Sequence, residues 1–523
     1  MKQTLSKTLL AFSLFMTAAC YRTQAAPGDL YDGGFSDPKI YKFDTAGTQT
    51  VFVSGPTTTF QPDWLAFDRQ GNLFASNPAH SAISKIPPNG SITDFATGIN
   101  FQPGDLAFDA AGNLFVIDGT TGSIFKYMPS GAKTTFVGPG FNDLVAMAFA
   151  TDGNLFVTRR GAGTAGSGSI VKFTPAGVIS TFAGGLFLPK DLAFDSSGNL
   201  CEADSVSGSV FKFAPNGTQT TFKAGLNAPQ SLAFARDGNL FVGDCPSCNI
   251  VKITPGGTQS PFASPPAVGG LAFEPPAAYD FNQDGKRDYV LYNAVTHQTA
   301  VWYLNNNVFL GAAFGPTLPA NWNVVGVADF DGDGRPDYVL FNSTSHQTAI
   351  WYLSGTTFVS SAFGPSLPSG WDLVAVGDFN ADGKPDYVLY NAVTHQTAIW
   401  SLNNNVFVSA AFGPTLPVNW RVVGVADFNG DGKPDYLLFN SSTHQTAIWY
   451  LSGPTLVGGA FGPTLPANWN VVGTADFNRD GKPDYALYNS AMQQTAVWYL
   501  NNNAFTSSAF GPSLPANWSL IAP

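Results

Sequence analysis

The sequence predicts an all-β protein built as two tandem β-propellers, six-bladed then five-bladed, each closed by a strand from the opposite end of its own array. Three observations carry this expectation. In the first half a repeated unit sets turn glycines Gly71, Gly112, Gly153, Gly198 and Gly238 at spacings of 41, 41, 45 and 40 residues. In the second half a 49-residue unit recurs five times without a gap. The composition agrees: 55 Gly, 37 Pro, 14% aromatic and 12% charged residues in a chain of 523 favour short strands and tight turns over helices.

The first unit reads L-A-F-D-x-x-G-N-L-F-V-x-D, then S-I-x-K-Y/F-x-P-x-G, then T-x-F-x-x-G. Its four β-favouring runs, parted by turn residues, make one four-stranded blade. Full copies start near Leu65, Leu106, Met147, Leu192 and Leu232. Ahead of them, Gly28-Asp29-Leu30-Tyr31 matches the second strand (Gly112-Asn113-Leu114-Phe115), while Lys39–Phe43 and residues 50–53 match the third and fourth. The missing first strand reappears as Leu271-Ala272-Phe273, giving a sixth, split blade that removes a free sheet edge.

The second unit is W-x-V-V-G-x-A-D-F, an acidic loop, P-D-Y-V-L-Y, H-Q-T-A-I-W-Y-L and V-F-x-x-A-F-G-P-T-L-P. The first copy enters at Tyr279-Asp280 without its tryptophan strand, and the last residues supply that strand as Asn517-Trp518-Ser519-Leu520-Ile521. Five blades closed in the same way are therefore expected. The domain limits are residues 26–275 and 276–523.

The acidic loop holds the chemistry. Its copies place side-chain oxygens at positions 1, 3, 5 and 9, glycine at 6, and a backbone carbonyl at 7. The sets are Asp280, Asn282, Asp284, Lys286, Asp288; Asp329, Asp331, Asp333, Arg335, Asp337; Asp378, Asn380, Asp382, Lys384, Asp386; Asp427, Asn429, Asp431, Lys433, Asp435; and Asp476, Asn478, Asp480, Lys482, Asp484. Many hard oxygens on one short loop suit calcium. An EF-hand is excluded because position 12 is Leu291 or Leu340 where a bidentate glutamate is needed, and strand-like residues follow. A metal-free Asx turn is the plainer alternative, but it leaves three or four carboxylates repelling one another. The loops hold sixteen of the 36 acidic residues, so five calcium ions would nearly cancel the net charge of −11. The expected role of the metal is structural.

The second array, through D-x-[DN]-x-D-G-x-x-D and its Ala-Phe-Gly-Pro stretches, resembles the FG-GAP/VCBS repeats of integrin-type propellers. The first, through G-N-L-F-V-x-D and I-x-K-F, is similar to NHL-type six-bladed propellers and more distantly to streptogramin-lyase and gluconolactonase-like ones. The first resemblance implies calcium-loaded blades; the second implies a fold more than an activity.

Residues 1–25 read as an export signal: Lys2 and Lys7, an apolar run over 9–16, then small residues. Thr17-Ala18-Ala19-Cys20 is close to a lipoprotein box, which makes Cys20 a possible lipid anchor, whereas Thr23-Gln24-Ala25 offers ordinary cleavage. No later segment is long and apolar enough to span a bilayer. Secretion, the periplasm or the cell surface is the expected destination. Net acidity argues against nucleic acid as a partner. Cys201 reads as core, and Cys245 and Cys248 as a local disulfide or two idle thiols at a hairpin tip.

Other candidates have plainer readings. His297, His346, His395 and His444 share one repeat position with Gln493, in or beside a turn. The tryptophans fall into two sets, Trp302, Trp351, Trp400, Trp449, Trp498 and Trp322, Trp371, Trp420, Trp469, Trp518. Packing between blades is the default for them, and a sugar-stacking platform the sharper reading. In the first array Asp32, Asn77, Asp118, Arg159, Asp204 and Asp244 are read as ending the second strand; a ring at the channel mouth is the sharper reading and turn residues of the repeat consensus the plainer one, with His80 the only histidine in that half. Near-identical repeats offer many copies of one surface, whereas catalysis wants different residues at one point. Binding of an extracellular glycan or protein is therefore the expected function. A hydrolase or lyase site in the first propeller's channel is the alternative.

Overall fold

The computed structural model describes residues 28–522 apart from positions 35–36, 57–58, 69–70, 98–102, 142, 163, 165, 236, 246–247, 276–278 and 381. The leader over residues 1–25 and Cys20 lie outside these. Among the described residues there are forty-four strands in eleven antiparallel four-stranded sheets, with one short 3-10 turn over Pro78–His80 and no helix long and apolar enough to cross a membrane.

Each sheet is one repeat, laid down in chain order as inner, second, third and outer strand. Two sheets are split. Leu271–Phe273 pairs with Leu30–Gly33, setting Phe273 opposite Leu30. Trp518–Ala522 pairs with Tyr289–Asn293, setting Trp518 opposite Asn293. The inner strands of the first six sheets touch one another in a cycle, and so do those of the last five. These are two propellers, as the repeat count implies.

The wedges between blades form the core. In the second propeller the second strand is buried on both faces: Tyr338, Val339 and Leu340 are all at most 1% exposed. Alternate residues then pack into different wedges. Val339 and Phe341 join Leu373, Tyr387 and Leu389 of the next blade, whereas Tyr338 and Leu340 join Val290 and Val301 of the previous one. Each such side chain contributes about 1.5–3 kcal/mol by burial.

The first propeller uses phenylalanine instead. Phe115 meets Phe136 of its own outer strand and Phe149 of the next inner strand, edge-on at 5.0 and 4.8 Å. Phe74, Phe156 and Phe241 repeat this. The partner of Phe241 across the last wedge is Phe273, so the split blade is packed as well as paired. Cys201 takes the same strand position in the fifth blade and is fully buried, as expected.

Inner strands of neighbouring blades have no ladder between them, and two aspartates bridge the gap. Asp105 accepts from Leu106 N at 2.7 Å and from Met147 N of the next blade at 2.6 Å. Asp191 does the same with Leu192 N and Leu232 N, at 2.7 and 2.6 Å.

The glycine of each Ala-Phe-Gly-Pro stretch is required by space. A Cβ on Gly413 would sit 2.4 Å from Thr397 Oγ1, whose hydroxyl donates to Pro414 O at 2.7 Å. Gly413→Ala is expected to destabilise the second propeller by about 1–3 kcal/mol, read by denaturant unfolding against the parent chain.

Candidate functional site

Four of the acidic loops join an inner strand of the second propeller to the second strand of the same blade, and the first, from Asp280, leads into the second strand of the split blade. In the second blade, Trp322–Ala328 leads into Asp329, and Asp337–Asn342 follows. The loop folds onto its own carboxylates. Asp329 accepts from Gly332 N and Gly334 N, both at 2.8 Å, Asp331 from Asp333 N at 3.1 Å, and Asp333 from Arg335 N at 2.9 Å. Position 6 is left-handed, with φ of 80° at Gly334 and 79° at Gly285, which is why glycine stands there. Oxygens of Asp329, Asp331 and Asp333 lie within 4.8 Å of one another.

Position 9 has a second task. Asp337 is fully buried; one oxygen accepts from Phe330 N and the other from Leu353 N of the third strand, both at 3.0 Å. Asp288, Asp386, Asp435 and Asp484 make the same pair of bonds. This residue fastens the loop to the sheet. Burial, followed by neighbouring carboxylates, pushes these acids up, to about 8 for Asp288 and Asp484, about 7 for Asp337 and Asp435, and about 6 for Asp386. At position 1, Asp280 is raised to about 6, again mainly by burial. Carboxylates crowded on a loop already curled by its amides suit a hard divalent cation, whose charge would offset their mutual repulsion.

The five loops differ at their edges. Arg287 stands at position 8, where the others carry Pro336, Pro385, Pro434 and Pro483. It is partly buried and near both Asp476 and Asp280, so it links the fifth loop to the first across the split blade. The position-7 side chains of the last four loops reach the tip between third and outer strands, as Lys384 Nζ does to Asn403 Oδ1 at 2.7 Å.

A second repeated feature lies at the other end of each blade. Trp371 opens an inner strand that runs seven residues to Gly377 before the cation loop, roughly 23 Å of extended chain. There Trp371 faces Phe412 of the outer strand, with ring centroids 6.1 Å apart and planes 32° from parallel. Pro368, Ala398, Trp400 and Ala411 complete a cleft of about 170 Å³ with an almost wholly apolar lining. The other blades hold the same pair: Trp518–Phe314, Trp322–Phe363, Trp420–Phe461 and Trp469–Phe510, at 6.1 to 6.2 Å. Phe412 is 74% exposed, and Phe363, Phe461 and Phe510 are 71 to 72% exposed. All ten repeat tryptophans are half-buried, so packing between blades is only part of their role. Trp302, Trp351, Trp400 and Trp498 pack edge-on against a phenylalanine of the outer strand, as Trp400 does on Phe407 at 4.9 Å.

The repeat histidines are turn residues. His297, His346, His395 and His444 have φ of 55 to 58°, Gln493 has 53°, and their carbonyls accept the amides of Leu318, Leu367, Leu416, Leu465 and Leu514.

In the first propeller one expectation is corrected. Leu30 pairs with Phe43 as Leu114 pairs with Tyr127 and Leu200 with Phe213, so Asp32 is equivalent to Val116 and Glu202, two residues before the strand end. The remaining members of that set tether the preceding connection or their own hairpin. Asp204 accepts from Phe187 N at 2.7 Å, Asp244 from Ala228 N at 2.8 Å, Asn77 from Gln61 N at 3.1 Å, and Asp118 from Thr120 N at 2.8 Å. Arg159 pairs with Asp143 at 3.0 Å, and His80 is exposed on the 3-10 turn. Cys245 Sγ and Cys248 Sγ lie 2.8 Å apart at their hairpin tip.

The acids that do approach one another there went unnoticed in the sequence. Asp105 feels the charge of Asp191 and of Asp63, and Glu202 that of Asp204 and Asp191. Burial raises Asp63 to about 6 and Asp191 to about 7, and lifts Asp105 and Glu202 well above the usual carboxylate range. Glu202 is fully buried, and neither of its oxygens has a hydrogen-bond partner. Its only sequence signal is a carboxylate where three other blades carry valine (Val116, Val157, Val242).

The C-terminal region carries FG-GAP-like repeats, matched over residues 280–340, 329–389, 378–438 and 427–487. No curated protein matches the sequence. Among solved structures, a nidogen/laminin complex chain is similar at 18% identity, covering 47% of this chain and 98% of its own, with a TM-score of 0.43. A virginiamycin B lyase from Staphylococcus aureus is similar at 12% identity, covering 64% and 91%, with a TM-score of 0.33. A protein described as a gluconolactonase is similar at 12% identity, covering 46% and 85%, with a TM-score of 0.35.

Asp333→Ala is expected to remove one of five calcium equivalents in calorimetry. In calcium at tenfold the dissociation constant it should lower the ion's stabilisation by about 1.4 kcal/mol. The raised acids fix a pH dependence. Their contribution to the metal-free fold is full below about pH 4 and is lost as pH rises through about 6 to 8. Calcium needs the deprotonated form. The calcium-induced rise in melting temperature should therefore be larger at pH 8.5 than at pH 5.5, checked by paired melts with calcium and with chelator.

Proposed function

We propose that this chain is an exported, calcium-stabilised binding module that holds an extracellular glycan or protein ligand through five copies of one aromatic cleft. The reading takes residues 1–25 as signal, 26–275 as the first propeller and 276–523 as the second. Its destination is the cell surface, the periplasm or the medium, with Cys20 the anchor if the chain is lipidated. The observation that carries it is the row of phenylalanines, four of the five more than 70% exposed, each lying over a tryptophan at the end of the blade remote from the cation loop.

A folded chain gains nothing from leaving such rings in water, and repeated exposed apolar surface marks an interaction site. The cleft has almost no polar lining, so it selects a flat C–H surface over a charged group. The C–H face of a pyranose meets this demand while its hydroxyls stay in solvent. Five weak equivalent sites on one ring gain strength together against a ligand displayed in many copies.

Calcium supports this surface without reacting. At tenfold the dissociation constant, five ions contribute about 7 kcal/mol, comparable with the net stability of a domain. The ligand assignments at positions 1, 3, 5, 7 and 9 of each loop belong to this proposal.

A hydrolase or lyase site in the first propeller has one observation in its favour, the unpartnered Glu202 beside Asp191. Against it, both oxygens of Asp191 and of Asp105 are taken by backbone amides, a structural use that accounts for them.

Screening the mature chain on a glycan array, with calcium and then with chelator, tests the reading. Calcium-dependent retention is expected. Phe412→Ala alone should weaken apparent binding to a multivalent surface a few-fold, and Phe412→Ala with Phe461→Ala and Phe510→Ala at least tenfold, at unchanged melting temperature. Retention that survives the triple variant, or no retention together with turnover of lactones or esters, would sink the idea.

A further inference from the structure

The cation loops point toward the first propeller, and three of them touch it or the segment leading from it. Asn89 N donates to Arg479 O of the fifth loop at 3.1 Å. A Cβ on Gly481, two residues on, would sit 2.7 Å from Asn72 Oδ1. A Cβ on Gly432 of the fourth loop would sit 2.9 Å from Pro129 Cγ and 3.5 Å from Ala111 O. The Arg479 guanidinium pairs with Glu274, which follows the last strand of the first propeller and also accepts from Tyr31 OH at 3.2 Å. In the first loop, Gly285 lies against both Arg479 and Glu274.

Arg479 and Gly481 occupy positions 4 and 6 of their loop, interleaved with Asn478 and Asp480 at positions 3 and 5. The same backbone that presents the carboxylates therefore presents the docking atoms. Asp476 holds that backbone by accepting from Asp480 N at 3.1 Å and Gly481 N at 2.9 Å. Removing the cation leaves three carboxylates and an amide crowded on one turn, and relaxing them moves Arg479 and Gly481 with them.

We propose that the first, fourth and fifth loops form the docking surface for the N-terminal propeller, and that a divalent cation in the fifth loop locks the two propellers in one orientation. The inference rests on the calcium reading above. Linkage makes the effect reciprocal: docking tightens the fifth site by the factor by which the cation tightens docking.

The test uses small-angle scattering and calcium calorimetry on the full chain. With calcium one compact particle is expected, and with chelator a larger radius of gyration. Arg479→Glu changes position 4, which is glycine in the second and fourth loops (Gly332, Gly430) and so is not a cation ligand. In saturating calcium this variant should scatter as the opened particle and bind one calcium roughly fivefold or more weakly. Glu274→Arg combined with Arg479→Glu should restore both. The variant arm stays in calcium throughout, so it reads docking even where chelation loosens the second propeller. Heat of calcium binding with scattering unchanged between calcium and chelator, or an Arg479→Glu chain as compact as the parent, overturns the lock and leaves the calcium reading standing. Absence of any binding heat overturns both.

Discussion

A blade whose second strand is buried on both faces cannot be stable alone, and this constraint organises the whole chain. Tyr338, Val339 and Leu340 need an apolar neighbour on each side, and so do their counterparts in every repeat. Placing blades side by side satisfies all but the two ends of a row, and only a closed cycle satisfies those. The two split blades follow from this. Leu271–Phe273 and Trp518–Ala522 return from the far end of each array to complete the first sheet. The packing of Phe273 on Phe241 then makes the last wedge like the others.

Aspartate does most of the remaining fastening, in a way that follows from its chemistry. A carboxylate has two acceptor oxygens and can hold two backbone amides that no strand pairing reaches. Asp105 and Asp191 use this across the gap between inner strands. Asp204 and Asp244 use it to hold connections against their own blades. The position-9 aspartates use it to fix the cation loops. At Asp105, Asp191 and the position-9 aspartates desolvation raises the acid, so these residues that fasten the fold also make it sensitive to pH. Glu202 stands apart because burial was imposed on it without either amide.

Blade length separates two surfaces of opposite character. Acidic loops occupy one end of the second propeller, where they meet the first propeller's turns, and aromatic clefts occupy the other end. Repetition copies the tryptophan–phenylalanine pair into all five blades. Symmetric copies multiply one contact and do not bring a base, a nucleophile and an electrophile to a single point.

What the sequence determined by itself is everything carried by local spacing. The 49-residue period, the turn glycines, the split blades and the spacing of the acidic loops are all readable within one repeat or by aligning two. The misplacement of Asp32 came from aligning it by residue type at a strand end, where pairing with Tyr41 would have set the register. Only the tertiary structure decided which side chains from distant strands share space: Trp371 with Phe412, Asp105 with Met147 of the next blade, Arg479 with Glu274. Such partners are set by how blades twist and wedge together. That is a property of packed sheets, and no period within a single strand records it.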